Sequence, residues 1–350
     1  MLPNLKTSAG FLLLSILTNN LLKNIQKPTE RLFFYVLNLE TNYKIMIHNN
    51  VLTLIGNTPM VKINNLTDKN DAQILVKLEK YNIGGSVKDR MALYLIEDAE
   101  KNGRIDKNKI LLEASSGNTG IAMTLIAGVK NYKISIVIPE SVSIERRKLI
   151  TAYGAELILS PAEKGTAGAI EIKNKMLADN PDKYINLDQF KNPANIQAHY
   201  ETTGQEIWEQ TSGKLDMIIL SVGTAGTGVG VSKRLKEYNS KIKIVGVMPA
   251  LGASIQGLRN PKELNPTQLF DAKAFDEIIE IPKEEVPATH MVGRKLARVE
   301  GILAGMSSAA VMYIALQKAK DFGKDKIIVV ILPDTGERYL STILFDEPTQ

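Results

Sequence analysis

Within Tyr81-Asn82-Ile83-Gly84-Gly85-Ser86-Val87-Lys88-Asp89-Arg90 lies the side chain best suited to covalent chemistry, Lys88. It follows a Gly-Gly-Ser turn, with the apolar run 72–78 before it and 91–100 after it, where a helix is expected to begin. A lysine at a helix N-terminus feels the positive end of the macrodipole, which lowers its pKa and makes the amine a better nucleophile. Ser86 can equally be a plain helix cap beside a solvated lysine, so the assignment depends on the rest of the chain. That chain has 350 residues and no cysteine, which excludes disulfides, thiolate catalysis and thiolate metal sites. His48, His199 and His290 are too far apart in sequence for a local metal motif. Any chemistry here needs another electrophile or electron sink.

Three further segments have the composition of ligand loops. Glu113-Ala114-Ser115-Ser116-Gly117-Asn118-Thr119-Gly120 offers hydroxyls, an amide and exposed backbone N–H groups at a helix start, which suits a carboxylate or phenolate oxygen. Capping by Ser116 or Asn118 alone would use only one of these residues. Ser221-Val222-Gly223-Thr224-Ala225-Gly226-Thr227-Gly228-Val229-Gly230 combines glycines that let the backbone approach an anion with hydroxyl donors, so a phosphate is expected there. Dinucleotide binding is disfavoured because the spacing is not G-x-G-x-x-G and the next strand ends in Met248-Pro249 instead of an acid. There is no Gly-Lys-Ser/Thr ending for a nucleotide P-loop. The third segment, Gly305-Met306-Ser307-Ser308-Ala309-Ala310, reads by itself as a helix start. A reactive lysine, a one-phosphate loop and a donor-rich loop together point to pyridoxal phosphate, whose ring is the missing electron sink.

The elements that must hold these loops follow from hydrophobic patterning. Short β-branched runs at Ile74–Leu78, Lys109–Glu113, Ile134–Ile138, Glu156–Leu159, Met217–Ser221, Ile244–Val247 and Lys326–Leu332 alternate with longer helical patterns. Helices are expected at Met91–Asn102, Asn118–Lys130, Ser143–Tyr153, Ala167–Asp179, Gln197–Gln210, Val229–Tyr238, Val286–Glu300 and Ser308–Asp321. The alternation implies βαβ units and mostly parallel sheets, whose ligand loops follow the carboxyl ends of the strands. Leu251–Lys283, broken by Gly, Pro and Asn, reads as a loop with short elements. The 43 basic residues are interleaved with 38 acidic ones and only one Trp, which argues against a stacking platform for nucleic acid. The apolar run Phe11–Leu17 is too short to span a bilayer. Residues 1–45 read as an extension, either a targeting segment or translated upstream sequence, with Met46 a natural start.

These motifs resemble the cysteine synthases (O-acetylserine sulfhydrylases) of the fold-type II, tryptophan synthase β-like pyridoxal-phosphate enzymes. The resemblance runs from about Ile55 to Asp346 through Gly56-Asn57-Thr58-Pro59, the Lys88 segment, Ser116-Gly117-Asn118-Thr119-Gly120, and Pro139-Glu140 with Glu145-Arg146-Arg147. It continues through Asp188-Gln189-Phe190, Asn192-Pro193-Ala194-Asn195, Thr202-Thr203-Gly204 with Glu206-Ile207-Trp208, the glycine loop and Pro333-Asp334-Thr335-Gly336-Glu337-Arg338-Tyr339. It implies a two-domain α/β enzyme, each domain a mostly parallel twisted sheet flanked by helices. Residues 46–59 and 82–192 would form the smaller, mobile domain, 60–81 and 193–345 the larger one, and 346–350 a tail. Lys88 would hold the cofactor as a Schiff base. Asn118 would bond the ring's phenolate oxygen, Gly223, Thr224, Ala225, Gly226 and Thr227 would cradle the phosphate, and Ser307 would face the pyridine nitrogen. Ser115, Ser116, Thr119 and Gln189 would receive the substrate carboxylate.

The implied reaction is β-replacement on O-acetyl-L-serine or O-phospho-L-serine by sulfide or thiosulfate through an α-aminoacrylate intermediate, giving L-cysteine or S-sulfocysteine. Three positions depart from the commonest pattern. Ser115 stands where Thr is usual; Ala225 replaces a glycine, which is tolerable if its φ is negative; and Arg259, in Gly252-Ala253-Ser254-Ile255-Gln256-Gly257-Leu258-Arg259, is a B-type feature. An arginine there could bind an anionic leaving group or sulfur donor, or could be a solvent-exposed loop residue. The resemblance further implies a cytoplasmic homodimer acting on small molecules, without nucleic acid, membrane or metal, although residues 1–45 leave an organellar or secretory role open. The alternatives are a cystathionine β-synthase-like or other β-replacement or β-elimination enzyme, a nucleic-acid binder, and a non-catalytic binding protein.

Overall fold

The computed structural model describes residues 47–115, 117–263 and 267–346. The expected extension 1–45, Ser116 and the last four residues lie outside the described residues. The described residues from Asn50 onward form one compact unit. Its strands are β1 (Met60–Lys62), β2 (Gln73–Leu78), β3 (Ile110–Ala114), β4 (Ile134–Pro139), β5 (Glu156–Ser160), β6 (Tyr184–Ile185), β7 (Met217–Ser221), β8 (Lys243–Pro249), β9 (Glu277–Ile281) and β10 (Ile327–Leu332). Its helices are α1 (Lys88–Lys101), α2 (Asn118–Val129), α3 (Ile144–Ala152), α4 (Gly165–Asp179), α5 (Ala194–Ala198), α6 (Gly204–Gln210), α7 (Gly226–Tyr238), α8 (Val286–Glu300) and α9 (Met306–Phe322). No helix among the described residues is long and apolar enough to cross a membrane.

Two sheets result. The larger has the order β1-β2-β10-β7-β8-β9, parallel except for β1; the smaller, β5-β4-β3-β6, is wholly parallel. The central strand β10 is Ile-Ile-Val-Val-Ile-Leu and pairs with β2 from Ile327 opposite Gln73 to Leu332 opposite Leu78. Its continuous apolar run is what a strand covered on both faces requires, since neither face meets water. One core packs α8 and α9 against the large sheet, with Ile328, Val330, Leu332, Ala310 and Ile314 inside. Another packs α1 and α2 against the small sheet around Met91, Leu95, Ile121, Ile136 and Ile150.

The seven expected strands all form, and the fold is the mixed α/β architecture anticipated above. Two differences have clear causes. β9 forms inside the segment read as a loop, pairing parallel with β8 from Val245–Glu277 to Pro249–Ile281. As an edge strand it carries charges (Glu277-Ile278-Ile279-Glu280-Ile281) and lacks the buried run that identifies an interior strand. The helix expected over 197–210 is interrupted by a π turn at His199–Thr203. Such turns arise inside α-helices and re-aim the side chains within them, here bringing His199 beneath the glycine loop.

Candidate active site

The loops after the strands line one cavity of about 740 Å³. Lys88, Asn118, Thr119, Gln189, Gly223, Thr224, Ala225, Thr227, Arg259 and Ser307 all line it. Gly226 and Ser115 do not, and Ser116 lies outside the described residues. Residues more than 200 positions apart thus meet at the carboxyl ends of two sheets, where parallel α/β folds place ligands.

Lys88 is the first residue of α1, and its backbone N–H reaches Ser86 Oγ at 3.3 Å. The turn before it needs glycine: Gly85 has φ +78°, and a Cβ on Gly84 would lie 2.6 Å from an Asp89 oxygen. What surface Lys88 keeps opens into the cavity, and burial of its ammonium lowers its pKa from the ordinary lysine value. The Asp334 and Glu79 carboxylates pull the other way without prevailing. The expected depression is therefore present, but desolvation is its leading cause rather than the helix dipole.

The glycine loop follows β7 and ends at Gly226, the start of α7. Amides of a first helical turn have no internal acceptor, so those of Gly226, Thr227 and Gly228 are available to an anion, and the helix dipole favours one there. A Cβ on Gly223 would sit 2.8 Å from the Gly257 carbonyl, so only glycine fits that approach. Ala225 corrects the sequence reading: its φ is +71°, left-handed, not negative. An L-residue there costs about 1–2 kcal/mol, a strain that the surrounding cradle holds in place. Beneath the loop, His199 Nε2 meets Thr227 Oγ1 at 3.1 Å and its Nδ1 meets Thr203 Oγ1 at 2.9 Å. Burial, with the nearby Lys88 and Arg90 charges, holds the His199 pKa well below its ordinary value, so the ring is neutral.

On the opposite wall, Asn118 opens α2. Thr119 donates to Gln189 Oε1 at 2.7 Å, and Gln189 Nε2 donates to the Ala114 carbonyl at 3.1 Å. Ser115 is turned away: its hydroxyl accepts from the Gly117 and Gly120 amides at 3.0 and 2.9 Å and so caps α2. Ser307 is buried in the first turn of α9, its Oγ 3.5 Å from where a Gly257 Cβ would stand. Arg259 holds its side chain against Glu263 at 3.6 Å and over the Phe190 ring. Its side chain is mostly buried, and it lines the cavity.

Sequence reasoning did not single out His199, Arg146, Asp334 or Arg338 for any role. Arg146 lines the cavity, stacks on Tyr339 and donates to Gln256 at 2.7 Å. Nothing in local spacing marks Arg146, Asp334 or Arg338, because the site partners Gln256 and Asn118 lie more than a hundred positions away, and the His199 contact with Thr227 depends on the π turn. A desolvated amine sharing one cavity with an anion cradle and a donor-rich helix start fits a cofactor that bears an aldehyde and one phosphate.

Comparison with known proteins agrees. Residues 51–334 match a family model described as pyridoxal-phosphate dependent enzyme. The chain is 44% identical over 294 residues to cysteine synthase B of Escherichia coli (strain K12), spanning 84% of this chain and 95% of the relative. A cysteine synthase structure from Entamoeba histolytica superposes with TM-score 0.77 at 38% identity, covering 88% of this chain and 95% of that one. A hydrogen sulfide-producing enzyme from Fusobacterium nucleatum gives 0.78 at 41% identity, covering 84% and 100%. Identity of this order across nearly the whole described unit, with the site residues gathered as above, means that the chain belongs to the pyridoxal-phosphate dependent enzyme family, among its cysteine synthases.

Proposed function

We propose that this enzyme replaces the β-substituent of O-acetyl-L-serine, or of O-phospho-L-serine, with sulfide or thiosulfate. Cysteine synthesis with pyridoxal phosphate as cofactor rests on the family and on the relatives named above; the cystathionine β-synthase-like alternative is not favoured. The observation that carries the reading is the desolvated amine of Lys88 facing the same cavity as the glycine loop. When bound, the cofactor supplies the electron sink that makes a proton on the substrate's α-carbon removable. Lys88 would hold the cofactor's carbonyl carbon, and Gly223 to Thr227 its phosphate, with Asn118 and Ser307 at the ring's two polar edges. Thr119 and Gln189, with Ser116, would receive the substrate carboxylate. With the substrate's amine in its place, Lys88 would serve as base for the α-carbon proton, a role favoured by the burial that lowers its pKa. Loss of acetate or phosphate from Cβ and addition of sulfur there complete the exchange.

Residues 46–59 and 82–192 would close as the smaller domain and exclude water. Arg259 would neutralise an anionic leaving group or sulfur donor. A cytoplasmic homodimer is the working assembly we infer from the family. The test is a steady-state screen of both acceptors against both sulfur donors, with products identified by mass, in wild type, Lys88→Ala and Arg259→Ala. A visible cofactor band, cysteine or S-sulfocysteine as product, and loss of turnover in Lys88→Ala are expected. Absence of the band, or its persistence in Lys88→Ala, rejects the mechanism. Equal loss for both acceptors in Arg259→Ala rejects its selectivity role.

A further inference from the structure

Beyond β10 the chain leaves the large sheet and runs, as Asp334 to Tyr339, between the Lys88 turn and the start of α2. There two buried charged residues grip one neutral amide. Asn118 Nδ2 donates to Asp334 Oδ2 at 2.7 Å, and Arg338 Nη1 donates to Asn118 Oδ1 at 2.6 Å. A carboxylate can only accept and a guanidinium can only donate, so these partners distinguish the two ends of a carboxamide that is otherwise nearly symmetric in shape. Rotating it by half a turn would set oxygen against carboxylate and NH2 against guanidinium, exchanging two charge-assisted bonds for two repulsions. The second Nδ2 proton is then the one donor of this side chain left over, and Asn118 lines the cavity that holds Lys88.

The same guanidinium reaches the other side of the site. Arg338 Nη2 donates to the carbonyl of Gly84, whose N–H donates to Asp89 Oδ2 at 2.5 Å. A Cβ on Gly85 would lie 2.7 Å from Arg338 Nη2. One side chain thereby ties the turn that aims Lys88 to the amide at the head of α2. Asp334 is fixed in turn by the Tyr339 hydroxyl at 2.7 Å, and the Arg338 carbonyl accepts from Ser143 at 2.9 Å. Asp334, Arg338 and Tyr339 are all buried, so solvent does not compete for these bonds.

We propose that Asp334 and Arg338 are positioning residues that lock the Asn118 carboxamide with N–H, never C=O, toward the cavity, and hold it in register with Lys88. This rests on the cofactor reading above, in which Asn118 faces the ring's anionic oxygen; an inverted amide would oppose two acceptors there. Neither residue lines the cavity, so each acts through Asn118 and the Lys88 turn.

The test compares Asp334→Asn, Arg338→Met, the pair combined, Asn118→Ala and all three together, each as purified, cofactor-loaded enzyme. The readouts are the cofactor's visible band and its dissociation constant. A lost charge-assisted bond corresponds to roughly tenfold or more in affinity, so the combined pair is expected to weaken cofactor binding at least that much and shift the band as Asn118→Ala does. Adding Asn118→Ala to the pair should then change little, because the pair acts through that amide. Additive effects, or a wild-type band and affinity in the pair, overturn the proposal. Should Arg338→Met fail to fold, the isosteric Asp334→Asn still carries the comparison with Asn118→Ala. Asparagine-selective 15N labelling supplies a measurement independent of the cofactor. The Asn118 NH2 signals, identified by their loss in Asn118→Ala, should be shifted from free-amide positions in wild type and return to them in the pair. Unchanged signals also overturn the lock. A wild-type protein that shows shifted signals but no visible band would reject the cofactor reading and leave the lock standing.

Discussion

The pKa of Lys88 is a contest between taking an ammonium out of water and placing it near carboxylates. Burial is the larger effect and favours the neutral amine, while Asp334 and Glu79 favour the charged one. The sign of the consequence follows directly. Only the neutral amine attacks an aldehyde, and a lowered pKa makes that form available at lower pH than in a surface lysine near 10.5. Uptake of pyridoxal phosphate by the cofactor-stripped protein should therefore have its pH midpoint below 10.5, and Asp334→Asn, by removing a charge that opposes the shift, should lower it further. Stopped-flow absorbance across pH measures both; a midpoint at or above 10.5 contradicts the argument. The lysine itself was legible in the sequence because glycine, serine and lysine are contiguous. Its desolvation was not, since burial is a property of what the rest of the chain places over it.

At the scale of the element, the strain in the anion loop is local and removable. Ala225 is held at φ +71° at the head of α7. Ala225→Gly should raise unfolding free energy by up to about 1 kcal/mol, the strain relieved being partly offset by the freedom glycine gains in the unfolded chain. Gly226→Ala should do the reverse, because its Cβ would fall on the Asn195 carboxamide. Urea denaturation read by the fluorescence of Trp208 distinguishes the two. Strand β3 carries a second local cost. Burial pushes the Glu113 carboxyl up to about 7, against Lys173 and the bonds from Ala114 and Asn186. A carboxyl whose folded pKa exceeds its unfolded value of 4.5 weakens the fold progressively as pH rises from 4.5 towards 7. Glu113→Gln should thus stabilise the protein at pH 8 by roughly 1–3 kcal/mol and by almost nothing at pH 4. A gain that did not depend on pH would rule this out. Both loops at the ends of these strands were readable from composition. The sign of φ at Ala225 was not, because alanine's own preference is negative and only the packed cradle overrides it.

Across the whole molecule, a buried ionic cluster joins distant segments next to the site. Glu206 on α6 accepts from Lys77 of β2 at 2.7 Å and from Arg90 of α1 at 2.5 Å, and Arg90 Nε also reaches Glu79 at 2.7 Å. Burial pushes both carboxyls up, yet the Arg90 and Lys77 charges and hydrogen bonds outweigh it, so both stay below their ordinary pKa. Their stabilisation is then present above about pH 4.5 and lost as pH falls through that value and below. Glu206→Gln leaves two buried cations short of a partner and should cost about 3–5 kcal/mol at neutral pH, with a shallower acid limb of the stability curve. Chemical denaturation at pH 7 and pH 4 checks it; a loss of the same size at both values would argue against an ionic origin. Arg90 stands two residues from Lys88, so the same cluster anchors the helix that presents the amine.

The amino-acid sequence by itself determined the parallel α/β class, seven of the strands and most of the singled-out residues that line the cavity. Those signals are carried by neighbours in the chain: apolar runs buried on both faces, and small or hydroxyl residues clustered at strand ends. Tertiary structure alone decided that Ser115 caps α2 instead of lining the cavity, that a π turn brings His199 under Thr227, and that β9 completes the large sheet. It also placed Asp334 and Arg338 on Asn118, more than 200 residues away. The physical reason is common to all of these. A hydrogen bond's direction, a proton's affinity and an edge strand's pairing depend on partners that only folding brings within about 3 Å.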